Sequence, residues 1–134
     1  MSAITLVAMG RRQPHRPFDL IDILYVIGEP AEASEWLCSG VECEGAGAER
    51  LHKLADQNQH ISGSMLVQIA ADVTCTIEGY FRAFQSSDGS PWLVIRAVDG
   101  TEFDVESRDE GIIAVLKQHF PDVRDFPADG GSYF

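Results

Sequence analysis

The sequence predicts an α+β fold, a single domain on an antiparallel sheet of about five strands, ordered β-β-α-α-β-β-β-α, with the helices mainly on one face. Three observations predict it. Asp99-Gly100 stands between two apolar runs, the signature of a tight hairpin turn. Residues 46–72 hold two successive stretches with apolar side chains at i, i+3, i+4 spacing. Strand-like and helix-like segments cluster instead of alternating, which favours α+β over a parallel sheet.

The elements follow in order. Ile4 to Met9 is a short apolar run that fits a brief strand. Gly10 to Pro17 is polar and punctuated by Pro14 and Pro17, so residues 1–17 read as an arm or a short extra strand. Phe18 to Ile27 is apolar except for Asp19 and Asp22 and reads as a strand, ended by Gly28-Glu29-Pro30. Trp36 to Cys43 is the next strand, with Gly40 as a bulge. The short polar link Glu32 to Glu35 makes the two an antiparallel pair.

Ala46 to Asn58 reads as a helix with Leu51, Leu54 and Ala55 on one stripe. Ser62 or Ser64 caps a second helix running to Asp72, with Met65, Leu66, Ile69, Ala70 and Val73 inward. A meander follows: Thr74 to Gln85 with a bend at Gly79, Trp92 to Val98, then Thr101 to Glu106. Ser107-Arg108-Asp109-Glu110 has the form of a capping box and opens a helix that Pro121 stops. Residues 122–134 form a tail that Phe126, Tyr133 and Phe134 can anchor.

A chain of 134 residues is the common size of one domain. Its formal charge is −11. That field repels phosphate backbones and anionic lipid surfaces, so nucleic acid and membrane are disfavoured as partners. It attracts a basic partner protein. No run approaches the length of a membrane span, and no basic segment precedes the first apolar run, so the chain reads as cytoplasmic. Cys38, Cys43 and Cys75 are too few and too uneven for a disulfide framework. Cys38 and Cys43, five apart in one strand, are expected on opposite faces.

A two-residue turn at Asp99-Gly100 would place Arg96 opposite Phe103, and Val94 opposite Val105. Trp92, Val94, Arg96, Val98, Thr101, Phe103 and Val105 would then share a face, where Arg96 would either meet a carboxylate, for which Asp22 is the candidate, or lie along Trp92 and Phe103 with its head in water. Glu102, Asp104 and Glu106 would form an acidic comb on the other face, able to hold a cation or to be the solvated side of an edge strand. Arg96, Tyr80, Trp92, Glu102, Asp104 and Glu106 are therefore the candidate binding residues.

No catalytic or metal motif is present. His15, His52, His60 and His119 lie outside any H-x-x-x-H or C-x-x-C arrangement, though His52 or His60 can approach Cys43 or Glu44. Gly45-Ala46-Gly47-Ala48 lacks both the G-x-G-x-x-G pattern and a following Walker lysine. The aromatics Trp36, Trp92, Tyr25, Tyr80, Phe81 and Phe84 read as core. No cofactor is implied. The expectation is a non-catalytic interaction module, of inhibitor, immunity or regulator type, for a basic protein. The alternative is a small-molecule-binding protein or small enzyme with a pocket near Arg96, and a homodimer joined at a sheet edge is a third option.

Overall fold

A computed structural model of the protein describes residues 2–8, 17–85 and 89–125. Along them run β1 (Ser2–Val7), α1 (Leu20–Ile27), α2 (Glu29–Ala33), β2 (Glu35–Glu44), α3 (Ala48–Asp56) and β3 (Ile61–Ser62). Then come α4 (Gly63–Ala70), β4 (Cys75–Phe84), β5 (Leu93–Val98), β6 (Glu102–Ser107), α5 (Glu110–His119) and β7 (Val123–Asp125). The described strands make one sheet, ordered β3-β2-β4-β5-β6-β1-β7, with antiparallel pairing throughout. The α+β architecture is as expected, with seven described strands instead of about five. The two-residue β3 and three-residue β7 are too short to show a period in sequence.

The segment Phe18 to Ile27 corrects the expectation of a first strand: it is α1. Leu20, Ile23, Leu24 and Ile27 are buried and fall on one helical stripe. A short continuous apolar run does not distinguish helix from strand by period. The termini decide it. The Asp19 N–H donates to the Asp22 carboxylate at 2.9 Å, and the Gly28 N–H donates to the Leu24 carbonyl at 2.9 Å. Gly28 has φ +76, which stops the helix where glycine is favoured. No β-β pair therefore joins this segment to β2.

The core lies between the sheet and the helices. Ile4, Leu6, Trp36, Cys38, Phe81, Leu93, Ile95, Phe103 and Val105 cluster with Leu24, Leu51, Leu66, Ile69 and Leu116. The registers Ile4↔Val105, Ile95↔Val105 and Phe81↔Ile95 place those strand residues on one face. Val7 and Val94 are buried but lie outside that cluster, on the opposite face. Two tryptophans fasten α2 to the sheet. Trp36 Nε1 donates to the Ala31 carbonyl and Trp92 Nε1 to Ser34 Oγ, each at 2.8 Å.

The meander forms, but its last register differs from the expectation by one residue. Asp99 and Gly100 both have positive φ, and the Thr101 N–H closes the turn on the Val98 carbonyl at 3.0 Å. Thr101 then falls outside the ladder, and Val98 pairs with Glu102. Neighbouring strands hold the turn in this form. The Gly100 N–H donates to Ile77 at 2.9 Å, and the Thr101 carbonyl accepts from Ala8 at 2.8 Å. A one-residue slip turns every side chain over. Arg96 faces Asp104 and Val94 faces Glu106, while Phe103 and Val105 join the core.

Two further expectations are corrected. Gly40, at φ +58, sits in a bulge, and the β2–β4 register shifts on both sides of Glu42. Cys38 and Cys43 therefore both reach the core instead of opposite faces. The α5 cap is Asp109, not Ser107: its carboxylate accepts from Gly111 N at 2.9 Å and Ile112 N at 3.3 Å. Ser107 is buried and donates to the Trp92 carbonyl at 3.0 Å, while Glu110 accepts from Ser2. The arm residues Arg11, Arg12, His15 and Arg16 and the tail residues Phe126, Tyr133 and Phe134 lie outside the described residues. Among the described residues no helix is long and apolar enough to cross a membrane.

Candidate functional site

The register gathers five of the six candidate residues on the face of the sheet away from the helices. Tyr80 pairs with Arg96, Arg96 with Asp104, Asp104 with Thr5, and Thr5 with Arg124, in one row across five strands. The row on one side holds Leu37, Arg82, Val94 and Glu106. The row on the other holds Val98, Glu102 and Val7. The acidic comb and the arginine, expected on opposite faces, therefore share one.

Arg96 is the centre of this surface. Its guanidinium carbon lies 4.7 Å from the centroid of the Tyr80 ring, and one terminal nitrogen donates to the Tyr80 hydroxyl at 3.1 Å. The other is 3.9 Å from the Glu78 carboxylate. Asp22, the expected partner, sits exposed on α1 in the helical layer, across the sheet. The Arg96–Glu78 pair is about one-third exposed on each side, so it orients more than it stabilises.

The carboxylates differ in depth. Asp104 is 6% exposed and Glu106 3%, whereas Glu102 is only half-buried. A buried carboxylate needs donors. Thr5 Oγ1 donates to Asp104 at 2.6 Å, which ties β1 to β6 through their side chains as well as their backbones. Arg82, one row over, keeps its Nε buried with no hydrogen-bond partner among the described residues. Nothing in the sequence singles out Thr5 or Arg82, because the strands that flank them are remote in the chain.

Trp92, the sixth candidate, stands apart. It lies beyond the start of β5, where its indole bonds Ser34, and it lines two adjoining clefts of about 290 and 510 Å³ with Gln85 and Asp109.

Two other side-chain constellations join the helical layer to strands. The His52 Nε2 accepts from the Cys43 N–H at 3.1 Å and lies 3.5 Å from its thiol, an approach the sequence spacing allows but does not require. The pair is not an activated nucleophile. Burial, with Asp19 and Cys75 nearby, pushes the Cys43 thiol up to about 11. Burial likewise pushes Cys38 up to about 12, against the opposing pull of Arg82. No group of three or more metal-ligating side chains occurs among the described residues.

Asp19, at the head of α1, accepts from Thr76 N at 2.9 Å and from Thr76 Oγ1 at 2.8 Å. Burial raises its pKa although these bonds oppose the shift. The carboxylate joins helix to strand and lines a cleft of about 520 Å³ that Cys75 also borders. The glycine-rich run at 45–47 has a packing role instead of a phosphate-binding one. A Cβ on Gly45 would meet Thr74 N at 2.6 Å, and one on Gly47 would meet the Ile69 carbonyl at 2.6 Å.

Of the aromatics expected in the core, Trp36 and Phe81 are fully buried. Tyr80 and Phe84 lie on the opposite face of the sheet, outside the core cluster, and Tyr25, 63% exposed on α1, borders a groove against α5 with Val115. Reading its segment as a strand hid this position. Comparison with family models, with curated proteins and with solved structures returned no match to this chain.

Proposed function

We propose that the protein is a non-catalytic interaction module that engages a basic partner protein, in the manner of an inhibitor, an immunity protein or a regulator. One observation carries the reading. Between residues 29 and 49, Glu29, Glu32, Glu35, Glu42, Glu44 and Glu49 are all exposed, and no lysine or arginine lies among them. These residues span α2, β2 and the head of α3, so the acidity is concentrated along one continuous stretch of chain. With a formal charge of −11 behind it, that stretch steers a cationic surface and raises its association rate.

The test is kinetic. A partner captured from the native host is purified, and its association rate with the wild-type chain is measured as salt rises. The expected result is a steep fall in rate with ionic strength. A second expected result is a slower rate for the variant Glu32→Gln/Glu42→Gln/Glu44→Gln/Glu49→Gln. A rate indifferent to salt and to these substitutions overturns the reading.

A second reading, a small-molecule site on the sheet, is favoured by the depth of Asp104 and Glu106 beside Arg96. It predicts that a small ligand raises the melting temperature of the wild type and not of Arg96→Met. Equal shifts in both proteins would remove it.

A further inference from the structure

We infer that the groove between α1 and α5 is the docking surface for a basic segment of the partner protein, with a lysine or arginine of that segment lying across Tyr25 beside Asp22. The inference rests on the reading above and names its surface.

Tyr25 and Val115 are the exposed large hydrophobic residues among those described, at 63% and 45%. They are not scattered. Both line one groove of about 360 Å³, together with Asp22, Val26 and His119. Single exposed apolar residues are ordinary, but two that converge from separate helices form a small patch. Tyrosine is enriched at interfaces because its ring is rigid and apolar while its hydroxyl stays wet.

The chemistry of the rim selects the occupant. Asp22 precedes Tyr25 by three residues, one turn earlier on α1, and both border the groove. A carboxylate beside an open aromatic face is a receptor for a cation: the ring quadrupole and the carboxylate attract the same charge. The opposite wall, Val115 with His119, accepts the aliphatic stem of a long cationic side chain. The His119 ring is set edge-on to Phe120, with centroids 5.1 Å apart, so that wall is held in place. The acidic stretch begins at Glu29, just beyond the Gly28 stop, so the same segment of chain supplies the anchor and the steering field. A second copy of this chain is a poorer fit, since it would bring another −11 to the interface.

The test uses the full chain labelled with ¹⁵N and a capped hexa-arginine peptide, with capped hexa-serine as control, at low salt. The expected result is saturable shifts from hexa-arginine concentrated on the amides of residues 21–29 and 111–120, and none from hexa-serine. Tyr25→Ala should weaken that binding roughly five- to tenfold. Its spectrum should otherwise match the wild type, because the removed ring is exposed. Shifts centred elsewhere, with Tyr25→Ala binding like the wild type, overturn this surface and leave the basic-partner reading standing. No saturable binding anywhere overturns both. Shifts in the groove that grow with protein concentration before peptide is added assign it to a second copy and overturn the inference.

Discussion

Arg96 stands directly opposite Asp104 across β5 and β6, and one residue, Thr101, is the reason. By falling outside the ladder it brings the arginine and the acidic comb to the same face and sends Phe103 and Val105 into the core. Deleting Thr101 should leave Asp99-Gly100 as a two-residue turn with Val98 still opposite Glu102, so the face assignment is kept. The deletion variant is expected to keep cooperative thermal unfolding and near-ultraviolet dichroism, with a lower midpoint because the bond from Ala8 N to the Thr101 carbonyl is gone. Thr101→Ala should keep both, because the contacts that matter are backbone ones. A deletion variant that loses both would show that the three-residue connection itself sets the register.

Gly63 should tolerate no side chain. A Cβ there would lie 2.0 Å from the Ala31 carbonyl and 2.6 Å from that of Glu32, where α4 begins against α2. Backbone must move to admit it, so Gly63→Ala should cost about 3 kcal/mol in urea unfolding. The neighbouring Ser62→Ala, which removes only the cap on Met65 N, should cost about 1 kcal/mol. Equal costs for the two would mean that α2 and α4 separate more easily than their contact implies.

Asp19 makes a pH-dependent contribution of unusual sign. Its pKa is raised above the ordinary 3.8, so the folded state binds its proton more tightly than the unfolded chain does. The stability from that proton is complete below the unfolded value and is lost as pH rises through the folded one. The difference in unfolding free energy, wild type minus Asp19→Asn, should therefore shrink as pH is raised from about 4. A difference that grows over the same range would contradict the raised pKa.

The three thiols should divide by accessibility. Cys38 and Cys43 are buried and Cys75 is only half-buried. Burial raises all three thiols above their ordinary range. In native protein at pH 8, a disulfide reagent should modify Cys75 first and slowly, with the other two reacting only on unfolding. Modification of Cys43 as fast as Cys75 would show that the β2 edge at His52 opens readily.

Much of the fold was legible because local chemistry agreed with it. Asp99-Gly100 marked its turn, Ser62 capped α4, and the stripes of α3 and α5 carried a clear period. Two departures turn on residues far along the chain, and a third on the local bulge at Gly40. The apolar run of α1 fitted either period, and its Asp19 carboxylate is spent on Thr76, 57 residues on. The hairpin register turned on what Ile77 and Ala8 do to the turn. Tyr80, Arg96, Glu102, Asp104 and Glu106 stand out in the sequence as polar or aromatic positions in strands. Their assembly on one face was invisible until the slip at Thr101 was known.

β1 has a consequence for how the protein is made. It lies between β6 and β7, and its Thr5 bonds Asp104 across a separation of 99 residues. Pairing this remote is slow, since a long loop must close before any contact is gained. A chain emerging from the ribosome therefore carries its first strand unsatisfied until β6 has been synthesised. The pairing at this side of the sheet waits on β6, and until then Ile4 and Leu6 lack the strand beside which they are buried.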